Sequence, residues 1–168
     1  MKILVCVRQG LDGTINPFDA CAYEEALRVQ DAEVILLSMG PMTAKDFLLD
    51  LTRRGAQRAY LLSDPVFAGS DTLATAYALS LAVKKIAPDY IFCGRQTLIG
   101  DTAQTGPMLS VFAGTSPITN VMKIRNISDQ EVTCLTREQG IERVSAPALL
   151  TFERINTLRL PRLRSKVG

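Results

Sequence analysis

A loop that begins at Gly94 carries residue types that can hold a phosphate. Gly94 and Gly100 let the backbone approach a ligand closely, and Thr102 and Gln104 add side-chain donors. Asp101 with Gln104 three residues later is typical of a helix start with a capping box. The free N–H groups and the positive end of such a helix favour an anion. The loop therefore predicts a phosphate site, although the same residues also fit a capped helix after a ligand-free turn.

A second helix start lies near the beginning of the chain. Asn16 suits the N-cap, Pro17 the first helical position, and Asp19 the positive end of the helix. Arg8 and Arg95 follow two different apolar runs, where each could meet a phosphate. Both features also have a plain structural interpretation, as a helix cap and as surface charges.

Several kinds of chemistry are excluded by composition. The 168 residues include no His, which removes a Ser-His-Asp triad, a His base and a His metal ligand. The four Cys are scattered without a Cys-x-x-Cys pair, so zinc and iron–sulfur sites do not fit. Neither a G-x-G-x-x-G fingerprint nor a P-loop is present. The net charge of +2 gives no indication of nucleic acid as a partner.

Apolar runs alternate with helical patterns over the first two thirds of the chain. Strands are predicted at 2–7, 33–38, 59–62 and 90–93, and helices at 16–29, 43–54, 71–86 and 101–112. This alternation predicts an α/β fold with a doubly wound, mostly parallel, Rossmann-like sheet. Ligands of such sheets bind outside the carboxyl ends of the strands, where the strand order reverses.

The remainder of the chain changes character. Residues 118–127, 131–137 and 148–155 read as extra strands, added at the sheet edge or forming a hairpin. We expect one adenine nucleotide-binding domain over residues 1–158 and a basic tail over 159–168. The scattered cysteines, the lack of a signal-peptide pattern and the lack of a membrane-spanning run predict a reduced, cytoplasmic protein.

Several segments resemble electron transfer flavoprotein β-subunits. Residues 2–8, 16–19 and 22–28 resemble the opening of that family, and residues 38–41 resemble its Ser-x-Gly-Pro turn. Residues 53–59 resemble its Met-Gly-Ala-Asp-Arg-Ala segment, and 94–108 its nucleotide-binding loop. Residues 147–151 and Asn156 resemble a later strand.

The resemblance implies a function. Family β-subunits hold AMP, or a second FAD in electron-bifurcating members, and form a heterodimer with an FAD-carrying α-subunit that takes electrons from acyl-CoA dehydrogenase-type or other flavin partners. The chain would then be an electron carrier subunit and not an enzyme in its own right. The implied cofactor-binding residues, together with the strand-end cations, are Cys6, Arg8, Asn16, Pro17, Phe18, Asp19, Met39, Gly40, Gly94, Arg95, Gln96, Gly100, Asp101, Thr102, Ala103, Gln104 and Thr105.

The sequence departs from the family in three places. Residues 9–15 are shorter than the usual insertion, and Ile99 replaces the usual Asp. The chain ends at Gly168, before the recognition loop and C-terminal arm of the family, so we expect a fragment or different partner contacts. Residues 100–104 resemble the FAD-holding type more than the AMP type. A stand-alone ATP- or AMP-binding signalling domain resembling universal stress proteins, and a structural subunit with an empty site, are the alternatives.

Overall fold

A computed structural model describes residues 1–7, 14–39, 44–62, 80–94, 114–153 and 158. The strands are β1 (Lys2–Cys6), β2 (Glu33–Met39), β3 (Arg58–Leu62), β4 (Tyr90–Gly94), β5 (Ser116–Ile127), β6 (Glu131–Thr136), β7 (Gly140–Ser145) and β8 (Ala148–Phe152). The helices are α1 (Pro17–Leu27) and α2 (Lys45–Thr52), and residues 80–86 are also helical.

The eight strands form one mixed sheet in the order β3-β2-β1-β4-β8-β5-β6-β7. The first five strands in this order are parallel to their neighbours. β1, β4 and β8 are apolar runs buried on both faces, which is the pattern of a parallel sheet covered by other elements. The predicted α/β class with a mostly parallel sheet is confirmed.

The strand order reverses between β1 and β4. The chain passes from β1 outwards to β2 and β3, and β4 then pairs with the other side of β1. The carboxyl ends of β1 and β4 therefore form the switch point at which open α/β sheets bind ligands.

The third predicted extra strand lies elsewhere than expected. β8 is not at an edge, because it pairs in parallel with both β4 and β5 inside the sheet. The prediction assumed that strands late in the chain are added at the edge of the sheet. Every side chain of β8 is buried, however, and a strand that is buried on both faces is typical of the inside of a parallel sheet.

β5 doubles back within its own length. Its first residues run alongside β8 as far as Val121, which is opposite Phe152. At the bend Asn120 has φ +57°, and its backbone N–H donates to the Thr151 hydroxyl at 3.0 Å. The second half pairs with β6 and ends beside the beginning of β8, where Ala146 N–H donates to the Gln130 carbonyl at 2.8 Å.

Two apolar clusters fill the two faces of the sheet. The larger cluster joins α1, α2 and the inner side of the β5–β6–β7 meander, with Tyr23, Tyr90 and Phe92 at its centre. The smaller cluster lies under the helical residues 80–86, where Val83 covers Leu4 and Ile91. Each face of the central strands is thus covered by different parts of the chain.

The helix starts and ends follow their local signals. The predicted cap of α1 is confirmed, because the Asn16 side chain accepts a hydrogen bond from Phe18 N–H at 2.8 Å. α2 is followed by Gly55 at φ +137°, a conformation that favours glycine.

β7 was not among the predicted strands. Gly140–Ser145 carries few apolar residues because it is an edge strand, with Ile141 and Arg143 exposed on its outer face. Of the other predictions, helix residues 71–79, helix 101–112 and tail 159–168 lie outside the described residues. Among the helices that the structure describes, none has the length and apolar content to cross a membrane.

Candidate functional site

The start of α1 and the end of β4 meet at the switch point. The backbone N–H of Gly94 donates to the Asp19 carboxylate at 3.2 Å, and Asp19 is fully buried. A Cβ at position 94 would lie 2.5 Å from both the Phe18 carbonyl carbon and the Asp19 nitrogen. Only glycine permits this approach without moving the backbone of α1. The first turn of α1 is therefore fixed against the point where the predicted phosphate loop begins.

The first turn of α1 offers little to a phosphate. Pro17 has no N–H, Phe18 N–H donates to the Asn16 side chain, and Ala20 N–H donates to the Asn16 carbonyl at 2.9 Å. The Asp19 nitrogen lies against Gly94, and the carboxylate of Asp19 adds negative charge. A helix N-terminus with two of its N–H groups bonded within the helix start, one packed against Gly94 and a carboxylate beside them is a poor anion site.

Two thiols lie side by side beneath the strand ends. Cys6 on β1 is opposite Cys93 on β4, and both are buried and free. The hydrogen bond to Cys6, followed by burial and the nearby Asp19 charge, raises the pKa of Cys93 well above its usual value. Because the thiolate is the reactive form, Cys93 acts as a packing group, and Cys6 is buried beside it.

The structure brings together six of the predicted site residues, at or next to the switch point. These residues are Cys6, Asn16, Pro17, Phe18, Asp19 and Gly94. Met39 is the last residue of β2, and β1 lies between β2 and β4 in the sheet. The remaining predicted residues, which lie outside the described part of the chain, are Arg8, Gly40, Arg95, Gln96, Gly100, Asp101, Thr102, Ala103, Gln104 and Thr105.

Thr151 lies at the same edge and was not among the predicted residues. It is opposite Cys93 on β8, is 4% exposed, and its hydroxyl accepts from Asn120 N–H. In the sequence, Thr151 is a single hydroxyl residue near the end of an apolar strand. It could be assigned to the site only if β8 were known to lie beside β4. Across the described ranges, no group of His, Cys, Asp and Glu side chains could hold a metal ion.

The sequence is similar to proteins of one family. The family model for the electron transfer flavoprotein domain matches residues 3–157. The chain is 41% identical over 167 residues to the electron transfer flavoprotein subunit beta of Thermoanaerobacterium thermosaccharolyticum, covering 96% of this chain and 64% of that protein. It is 43% identical over 167 residues to Protein FixA of Azorhizobium caulinodans, covering 91% of this chain and 59% of that protein.

A third relative is matched over more of its length. The chain is 39% identical over 197 residues to the electron transfer flavoprotein subunit beta of Megasphaera elsdenii, covering 98% of this chain and 73% of that protein. The chain spans less than two thirds of the length of the first two relatives.

Proposed function

The chain belongs to the electron transfer flavoprotein family, and we propose that it is a β-subunit-type chain that holds AMP or FAD at the carboxyl ends of β1 and β4. It pairs with an FAD-carrying α-subunit, and the complex passes electrons between dehydrogenases or other flavin partners and acceptors. The chain is an electron carrier subunit and works in the cytoplasm. The stand-alone signalling domain is not favoured, because the family match covers nearly the whole chain.

One observation carries the proposal. Gly94 and the first turn of α1 are in contact at the switch point, where the predicted phosphate loop over residues 94–105 begins. Since the start of α1 has few N–H groups to offer and carries the Asp19 carboxylate, we assign the phosphates to residues 95–105 with the cations Arg8 and Arg95. The adenosine part then lies nearer the half-buried Phe18 and the tip of β1.

The chemistry of electron transfer is supplied by the flavin when it is bound. The residues of this chain have the role of binding and orienting the nucleotide and excluding water from its inner side. Cys6, Cys93 and Thr151 are buried and lie side by side on three neighbouring strands. Because these side chains are buried, we assign the contacts with the nucleotide to residues 94–105 and to the start of α1.

The test is to identify the nucleotide that the assembled protein carries. The chain is coexpressed with its α-subunit, the purified complex is denatured, and the released nucleotides are identified by mass spectrometry. We expect AMP and FAD in equal amounts if the β-type site holds AMP, and two FAD per complex if it holds FAD. Release of only one FAD and no AMP would contradict the proposed site, and ATP binding by the chain alone would favour the signalling domain.

A matched pair of glycine variants connects this result to the structure. Gly94→Ala introduces the clash with α1, whereas Gly114→Ala adds a Cβ with nothing within 4 Å at a position with φ +72°. Both substitutions strain the chain, but only the first changes the strand-end site. We expect Gly94→Ala to lose the β-type nucleotide and Gly114→Ala to retain it. Loss in both variants, or in neither, would contradict the assignment of Gly94 to the site.

A further inference from the structure

A second cleft lies at the opposite end of α1 from the nucleotide site. It has a volume of about 480 Å³ and is formed by the last turn of α1, the residues just after it and the second half of β5. This volume is within the range of sites that hold small molecules or short peptide segments. α1 has 11 residues, so the cleft and the strand-end site are separated by roughly 16 Å along the helix axis.

The cleft carries positive charge that the described part of the chain does not neutralise. Arg28 forms ion pairs with two carboxylates of α1, from Nε to Glu24 at 2.8 Å and from Nη1 to Glu25 at 3.7 Å. Lys123 and Arg125 are exposed on the facing strand, and neither has an ion pair or hydrogen bond through its side chain in the described structure. Two exposed cations therefore line the cleft without a partner among the residues that the structure describes.

The inner side of the cleft is aliphatic. Val29, Ile124 and Ile127 are partly buried and pack against the larger core cluster. The helix end here is the C-terminus of α1, whose carbonyl groups carry partial negative charge. A compact, highly charged phosphate is disfavoured beside such a helix end, whereas separate carboxylates on a partly apolar chain can reach the two cations and also cover the aliphatic floor.

We infer that this cleft is a docking site for an acidic, partly aliphatic segment of a partner protein, with Lys123 and Arg125 as the charged contacts. The inference does not depend on the nucleotide, because none of the described residues of the strand-end site lines the cleft. Charged contacts at a surface of this kind act mainly on the rate of encounter and on specificity, so binding weakens as salt rises.

The experiment measures binding of a model peptide to the full chain. A fluorescein-labelled peptide with alternating glutamate and leucine is titrated at low and high salt, and a peptide with glutamine in place of glutamate is the reference. Nuclear magnetic resonance shifts of the ¹⁵N-labelled chain report where the peptide binds. We expect shifts at residues 28–30 and 123–127, affinity that falls several-fold at high salt, and no binding of the glutamine peptide.

Variants separate this cleft from general attraction to positive charge. The double variant K123Q/R125Q should weaken binding of the glutamate peptide by about tenfold or more, which is about 1.4 kcal/mol or more. The double variant K84Q/K85Q removes two exposed lysines from the opposite face and should leave binding unchanged. Equal loss in both double variants, or no binding of the peptide at all, would overturn the inference.

A phosphate ligand is the competing outcome. Inorganic pyrophosphate is titrated into the same labelled chain under the same conditions. Shifts at residues 123–127 with pyrophosphate and none with the glutamate peptide would overturn the peptide assignment and identify the cleft as a small-anion site.

Discussion

Gly94 and Asp19 are 75 residues apart in sequence and are joined by a buried hydrogen bond of 3.2 Å from the Gly94 N–H to the Asp19 carboxylate. The bond connects the last residue of a central strand to the first turn of the helix that follows another strand. The rim of the switch point is therefore fixed by a contact inside the protein, and does not depend on a ligand to bring its two sides together.

The first prediction concerns the close packing at Gly94. Gly94→Ala places a Cβ 2.5 Å from two backbone atoms of α1, so either the strand or the helix must move. We expect the free energy of unfolding to fall by about 1–3 kcal/mol, the usual range for overpacking. Urea unfolding followed by circular dichroism measures it. An unchanged midpoint would show that α1 is not held as closely as the structure has it.

The second prediction concerns Tyr90, which connects the meander to the parallel sheet. Its hydroxyl donates to the Ser128 carbonyl at 2.5 Å, and the side chain is buried. Tyr90→Phe removes the donor and leaves a partly buried carbonyl unpaired, so we expect a loss of about 1–2 kcal/mol of stability. Tyr60→Phe, at an exposed tyrosine of β3, is the control and should change stability little.

The same tyrosine predicts a pH dependence. Burial, with the charge of Asp89 second, raises the pKa of Tyr90 to about 12 from an ordinary value of 10. The unfolded chain then loses this proton before the folded chain does, so the unfolding free energy falls as pH rises from about 10 to about 12. Burial likewise raises the pKa of Cys134 to about 12, from 9. Tyr90→Phe should reduce the slope above pH 10, and a slope equal to that of the parent chain would contradict the prediction.

A further prediction concerns Arg54, just after α2. Its Nε and Nη1 atoms are buried without a hydrogen-bond partner in the described part of the chain, and its Nη2 lies 3.6 Å from the Asp50 carboxylate. Because unpaired buried donors are costly, Arg54→Met should raise the free energy of unfolding by about 1 kcal/mol. Arg53→Met, at a neighbouring and more exposed arginine, should stay within about 0.5 kcal/mol of the parent. A loss of stability in Arg54→Met would contradict the prediction.

Another prediction concerns the four cysteines, all of which are buried and free. At pH 8 the folded chain should react with Ellman's reagent far more slowly than the unfolded chain, which should release four equivalents. The reason is that burial limits access and the pKa of Cys93 and Cys134 is raised. A thiol of the folded chain that reacts at the unfolded rate would show that its strand is open to solvent.

The sequence was most informative where local signals and burial agree. β1 and β4 are continuous apolar runs, and Asn16 with Pro17 specifies a helix start whichever elements surround it. The convergence of these segments followed from the rule that parallel strands end at one edge. The first half of the candidate site was accessible in this way.

The rest depended on pairings between distant segments. β8 lies beside β4 although more than 50 residues separate them, and no local pattern distinguishes an inner strand from an edge strand of the same composition. β7 was missed because it lacks the usual apolar and polar alternation: Ile141 lies on the exposed face with Arg143, and Glu142 lies with Val144 on the partly buried face. The role of Thr151 depends on the same strand order.

The bend of β5 at Asn120 has a consequence for the way in which the molecule opens. One continuous strand contributes Ile118 to the pairing with β8 and Ile124 to the pairing with β6, so the meander is not an appendage that can detach at a linker. Backbone amides of β6 should therefore exchange with deuterium through the same global event as those of β4, as a single cooperative unit. Much faster exchange throughout β6 would show instead that the chain can hinge at Asn120.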